Sequence, residues 1–160
     1  MKDERGLSKM ANEVEPFLIK PLFDDLQIER FVTIATIDHE TGAPNVSAIS
    51  WVLAKDEYTI LFAADNRSRI LENIKKNNQA VIILIANEST YSISGEVTIK
   101  EEAIREIPLK LALVEMKIKE VRDVMFYGSK IISEVQFDKT YDKNAAARLD
   151  RQVMDVLKKA

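Results

Sequence analysis

Cysteine is absent from the 160 residues, and only one histidine is present. Without cysteine there are no disulfides, no thiolate nucleophile and no cysteine-ligated zinc or iron–sulfur cluster, which suits a reducing compartment. Glycine and proline are scarce, four of each, so there is no low-complexity tract or polar linker to mark a domain boundary. No run of about 18 apolar residues is present to span a bilayer. The opening MKDERGLSKMANEVEP is too charged for a secretory signal, and we expect a soluble, cytoplasmic protein. Basic residues are not in excess: 23 Lys and Arg stand against 26 Asp and Glu, a net charge of −3. No overall positive field recruits nucleic acid or an anionic membrane, and any anion site must be local.

What the chain has is apolar periodicity, with 46% hydrophobic residues, enough for the core of one globular domain over residues 1–160. Phe17, Leu18, Leu22, Phe23 and Leu26 sit at helical spacing, predicting a helical segment over about 8–29 that Pro21 bends or interrupts. FVTIATI, then DHETGAPN, then VSAISWVL reads as strand, turn and strand. KDEYTILFAA supplies a third strand, and AVIILIA is apolar on both faces like a central buried one. In TYSISGEVTI, Tyr91, Ile93, Val97 and Ile99 alternate with Ser92, Ser94, Glu96 and Thr98.

Beyond Lys100 the signal is mixed. EEAIREIP predicts a short helix stopped by Pro108, and LALVEMKIKEV fits both templates but is read as a sixth strand. Leu149, Val153 and Leu157 predict a closing amphipathic helix over about 144–159. The expected fold is mainly β with flanking helices, a barrel of about six antiparallel strands.

The stretch ADNRSRILENIKKNN places two arginines around a serine where a strand gives way to a helix. Asn66 or Ser68 can cap that helix, whose first amides lack intrahelical partners and whose positive dipole end favours an anion. Two readings follow from the local pattern. Either Arg67 and Arg69 are solvated and Ser68 is a simple cap, or the three form a phosphate cradle.

The order FVTIATID, GAPNVSAISWVL, YTILFAADNRSRILENIKKNN, AVIILI and YSISGEVTI resembles the flavin-binding split β-barrel superfamily typified by pyridoxamine 5′-phosphate oxidase, over about residues 30–100, with VRDVMFYGSK similar to small general-stress-type members. The resemblance implies an FMN cofactor. It implies that the phosphate lies on Ser68 and Arg69, with Arg67 auxiliary, and that the flavin ring lies along Ser47, Ala48, Ile49 and Ser50 together with Phe62 and Ala63. It also implies a homodimer with the flavin in a cleft between subunits, and an oxidoreductase whose substrate is open. A non-catalytic flavin-binding stress protein, or a barrel holding haem or a deazaflavin, are the alternatives.

The chain also departs from the oxidase pattern. Ser47 and Val52 stand where the oxidase has Arg and Lys, and no C-terminal Arg-x-His motif is present, so pyridoxamine 5′-phosphate oxidation is not expected. His39 reads as an exposed turn residue, with haem ligation as the functional counterpart. Asp38 and Glu40 read as solvated turn carboxylates. Trp51 fits either core packing or the edge of a cleft. Lys75 and Lys76 complement the dipole at the end of their helix.

Overall fold

The computed structural model describes residues 13–160. The chain orders its elements as β1 (Val14–Glu15), α1 (Lys20–Asp25), β2 (Val32–Ile37), β3 (Pro44–Ile49), β4 (Val52–Asp56), β5 (Thr59–Asp65), α2 (Arg69–Lys76), β6 (Gln79–Ala86), β7 (Ser89–Glu101), β8 (Leu111–Asp123) and α3 (Lys143–Lys159). All pairings are antiparallel, and the sheet path is β3-β2-β6-β7-β8-β5-β4. Its two terminal strands, β3 and β4, are consecutive in the chain and joined only by Ser50 and Trp51. The sheet therefore curls on itself into a barrel, closed at that bend. β8 is the split: residues 111–117 pair with β5, while Val121 and Arg122 pair with β1.

Among the described residues, eight strands replace the expected six because VSAISWVL is broken at the bend, where it changes sheet neighbours, and because β1 adds a short edge. The predicted N-terminal helix shrinks to Lys20–Asp25, and the part of that expectation before residue 13 lies outside the described residues. Pro21 does not interrupt it. Pro21 sits in the first turn, where an N–H has no intrahelical partner to lose, and so helps to start the helix. The helix expected in EEAIREIP is a set of bends, in which Ile104 and Ile107 are buried and the Ile104 amide donates to the Leu111 carbonyl. The ambiguous 111–123 stretch is a strand, because it has partners along both edges.

Two hydrophobic clusters result. The first fills the barrel with Ile34, Phe62, Ile82, Leu84 and Ile93, sealed by Leu18, Leu22 and Leu26 around α1 and by Ile70, Leu71 and Ile74 of α2. The second lies outside the sheet, where Leu53, Leu61 and Leu113 meet Val153, Met154 and Leu157 of α3. Each fully buried side chain of this size contributes about 1.5–3 kcal/mol. α3 covers only the β4–β5–β8 side. On the outer face of β3–β2–β6, the exposed Val46 and Ala48 and the half-exposed Val81, Ile83 and Ile85 lie under no element among the described residues. β6 was expected to be buried on both faces, and within one chain only one face is. A cavity of about 360 Å³ lies on this side, lined by Ala35, Ile37, Pro44, Val81, Gly95 and Lys119 among others.

Candidate functional site

The turn from β5 into α2 is built by Asp65. Its carbonyl accepts from the Ser68 amide at 2.9 Å, and its Oδ1 accepts from the Arg67 amide at 2.8 Å. Asn66 pins the turn from outside, its amide to the Lys110 carbonyl at 2.9 Å and its side chain to the Glu102 carbonyl at 3.0 Å. Ser68 occupies the N-cap position in extended conformation, yet its side chain makes no capping bond. Its Oγ is buried with no hydrogen-bond partner among the described residues. An orphaned buried hydroxyl costs about 1–3 kcal/mol, and here it sits at a helix start, where the Leu71 amide already donates to the Ser68 carbonyl at 3.1 Å and the amides before it have no intrahelical acceptor.

The two arginines are not equivalent. Arg67 forks onto Asp65, Nε to Oδ1 at 3.2 Å and Nη2 to Oδ2 at 3.1 Å. The Arg67 side-chain bond, followed by its backbone bond, holds the Asp65 carboxyl below its ordinary range. Arg69 makes a single looser contact, Nη1 to Asp38 Oδ1 at 3.5 Å, and its side chain stays 65% exposed. Asp38 is held by the β2–β3 turn. Its Oδ2 accepts from the Thr41 amide at 2.8 Å, the Thr41 hydroxyl at 3.0 Å and the Glu40 amide at 3.1 Å. These bonds, the Thr41 pair foremost and Arg69 last, keep its carboxyl lowered. Asp38 is thus buried in its own turn rather than solvated. Gly42, at φ +77°, supplies the left-handed residue that closes the turn.

α2 is locked to the same turn by Asn73, which is fully buried. Its amide nitrogen donates to Thr36 Oγ1 at 2.9 Å and Asn45 Oδ1 at 3.0 Å, and its oxygen accepts from the His39 backbone at 2.9 Å and from His39 Nδ1 at 3.0 Å. His39 is therefore a half-buried member of a network, not a free turn residue. Its Nε2 faces Glu40 Oε1 at 3.3 Å. Lys76 caps the His39 carbonyl at 2.8 Å, and Lys75 reaches Glu102 at 3.5 Å.

Along β3, Ser47 and Ile49 are half-buried and share a face with Ile34 and Val32, their register partners, so they point into the barrel. Ala48, opposite Thr33, is exposed on the outside. Phe62 is fully buried inside the barrel, and Ala63, 2% exposed, lies under the α3 side. Both are closed to a ligand within one chain. β5 joins the two halves of the candidate site. The Ala63 amide donates to the Trp51 carbonyl at 3.0 Å, and two residues later Asp65 opens the turn into α2.

Sequence reasoning missed a polar cluster at the bend. Ser50 Oγ donates to Glu29 Oε2 at 2.5 Å, Lys139 Nζ donates to the same oxygen at 2.7 Å and to Asp150 Oδ1 at 3.0 Å, and Trp51 Nε1 donates to Asp150 Oδ1 at 2.9 Å. Lys139 Nζ also lies 5.7 Å from the centre of the Trp51 ring and 5.6 Å from that of Phe137. Burial pulls the Lys139 ammonium down, but its bonds and charge contacts with Glu29 and Asp150 outweigh this and raise it overall. Nothing in QFDKTYDK separates Lys139 from an ordinary loop lysine. Among the described residues, no group of three or more His, Cys, Asp or Glu is placed to hold a metal, and no helix is long and apolar enough to cross a membrane.

The sequence model for pyridoxamine 5′-phosphate oxidase matches residues 22–125, from α1 to just past β8. The chain belongs to the pyridoxamine 5′-phosphate oxidase family. No curated protein matches it by sequence. Among solved structures, a candidate pyridoxamine 5′-phosphate oxidase of Lactobacillus delbrueckii superposes with a TM-score of 0.58 at 16% identity, covering 70% of this chain and 98% of that one. HupZ of Group A Streptococcus gives 0.57 at 16%, covering 72% and 99%. An F420 reductase gives 0.53 at 16%, covering 64% and 96%. At such identities the likeness establishes the family's split-barrel fold and leaves the ligand to be argued from the residues.

Proposed function

We propose that this family member binds FMN, with the phosphate at the N-terminus of α2 and the ring toward the Ser50–Trp51 bend, and serves as a flavin-dependent oxidoreductase of a small substrate. One observation carries the reading: the buried Ser68 hydroxyl lacks a partner among the described residues, at a helix N-terminus beside the exposed guanidinium of Arg69. A phosphate oxygen accepts from such a hydroxyl, from the first-turn amides and from the arginine fork. When bound, FMN supplies hydride and electron transfer, while the protein binds, orients and excludes water.

In this reading Ser68 and Arg69 hold the phosphate, and Arg67 stays on Asp65, stiffening the turn. The backbone of Ser47–Ser50 offers bonding groups to the ring. Asp38 competes with the phosphate for Arg69. Arg69→Ala is expected to weaken FMN about tenfold or more, because a charge-assisted contact is worth roughly 1.5–3 kcal/mol. Arg67→Ala weakens it less, and Asp38→Asn strengthens it. The amide oxygen of asparagine can still accept from the Thr41 and Glu40 donors, while its NH2 replaces the oxygen that now occupies Arg69. Titration followed by flavin fluorescence measures all three. Equal affinities across the series would mean that the phosphate lies elsewhere.

A homodimer through the outer face of β3–β2–β6 completes the proposal. Its support is the patch around Val46, Val81, Ile83 and Ile85, which one chain leaves uncovered. Ile83→Lys should convert a dimer to monomer in sedimentation velocity, and a monomeric wild type would dismiss this interface. The F420 reductase of the same fold supports a second reading, a deazaflavin at the same site. Haem ligated by His39 gains no support, since both ring nitrogens face protein partners.

A further inference from the structure

Residues 124–142 run from β8 to α3 with no helix or strand. That is longer than the about 12–15 residues beyond which irregular connections in compact domains are uncommon and usually functional. This strap does not contribute to the core. Phe126, Tyr127 and Ile132 point outward, 69%, 82% and 90% exposed.

The attachments of the strap are mostly polar and unequal. Near its start, the Ile131 amide donates to the Glu88 carbonyl at 2.8 Å, and Lys130 pairs with Glu88 at 3.3 Å with both side chains about half exposed. In the middle, Glu134, 58% exposed, meets Arg30, itself only 16% exposed, at 3.2 Å. The Lys130–Glu88 pair, exposed on both sides, contributes little. At its end, Phe137 tilts against Phe31 with ring centres 6.4 Å apart, and Lys139 enters the bend cluster, where Lys139, Glu29 and Asp150 are each only about one-fifth exposed. Partly buried charges of this kind are costly to leave unpaired. Removing the ammonium would leave the carboxylate oxygens of Glu29 and Asp150 facing one another. Those same two oxygens hold Ser50 Oγ and Trp51 Nε1.

We infer that Lys139 is the latch of a lid: it holds the strap across the Ser50–Trp51 bend and, through Glu29 and Asp150, sets the position of both bend residues, so that a small ligand reaches or leaves the bend only when the latch opens. Identifying that ligand as the flavin ring rests on the FMN reading. The latch itself does not. Lys139 is accordingly a positioning residue, acting on Ser50 through Glu29 and on Trp51 through Asp150.

The test uses the full chain as wild type, Lys139→Met, which keeps most of the aliphatic stem, and Lys139→Arg, which restores the charge. Trp51 is the only tryptophan, so acrylamide quenching reads access to the bend without any ligand, and hydrogen exchange reads the strap. In Lys139→Met, exchange over 124–142 should accelerate about tenfold while β6 and β7 keep their protection. Trp51 quenching should rise, FMN should dissociate several-fold faster in stopped flow, and Lys139→Arg should recover most of each change. Unchanged exchange and quenching overturn the latch. A loosened strap with unchanged FMN dissociation overturns the lid. If wild type binds no FMN, the flavin reading fails, and the quenching and exchange of Lys139→Met still decide whether the bend is gated. Loss of protection across β6 and β7 as well would make Lys139 a general stabiliser and overturn the assignment.

Discussion

Gly95→Ala loses about 3 kcal/mol or more of folding stability. A Cβ built on Gly95 lies 2.1 Å from the Lys117 carbonyl oxygen, 2.9 Å from its carbonyl carbon and 3.0 Å from Met116 Cγ. The first two atoms are backbone of β8, the strand that pairs along nearly all of β7 and also carries β5 and β1. They cannot move aside without shifting those pairings. The register steps here, with Ser94 opposite Glu120 and Gly95 opposite Ile118, and this bulge brings the two backbones close. Overpacking a core with extra methylenes costs about 1–3 kcal/mol, and contact with rigid backbone belongs at or above the top of that range. A domain of this kind has roughly 5–15 kcal/mol in all, and this one has no disulfide to add to it. Urea unfolding followed by circular dichroism measures the loss. A variant within about 1 kcal/mol of wild type would mean that β7 and β8 are further apart at this point.

Asn73→Ala loses about 3 kcal/mol, with a fall in Tm of roughly 6–12 °C. The side chain is fully buried and satisfies Thr36, Asn45 and both the backbone and ring N–H of His39. Alanine fills none of these roles and strands several polar groups at the end of the barrel, where solvent reaches only some of them. Asn73→Asp should fare little better, because a carboxylate accepts from His39 but cannot donate to Thr36 and Asn45. The consequence extends to binding. Asn73 fixes α2 against the β2–β3 turn that carries Asp38, so loosening it displaces Arg69 and Ser68 together. FMN affinity should therefore fall in Asn73→Ala at temperatures where the variant remains folded. A thermal melt paired with titration at low temperature separates the two effects. Wild-type affinity in a destabilised variant would show that the N-terminus of α2 is positioned without this network.

The capping position of Ser68 was readable in ADNRSR, because a turn and the helix after it are local structures governed by near neighbours, while the fork of Arg67 onto Asp65 was local too but was not read there. The alternation in TYSISGEVTI and the spacing of Leu149, Val153 and Leu157 were readable for the same reason: each element repeats with a fixed period, and the core takes one face of it. Asp38 against Arg69 was not readable, since it depends on where the barrel delivers a hairpin. The Lys139 cluster depends on it still more, joining residues 29, 51, 139 and 150 across the sequence. VSAISWVL looks like one strand by composition, and only the closure of the sheet shows that it must bend at Ser50.

By itself, then, the sequence determined the β-rich order of elements, the inserted helix with its serine and arginines, and the absence of cysteine chemistry, because propensity, period and composition act over a few residues at a time. Only the tertiary structure decided that Arg69 meets the carboxylate of a distant hairpin, that the Ser68 hydroxyl is left without a partner among the described residues and that Lys139 closes the strap. Those outcomes depend on charges and polar groups brought together from distant parts of the chain, where burial rather than local preference sets the free energy.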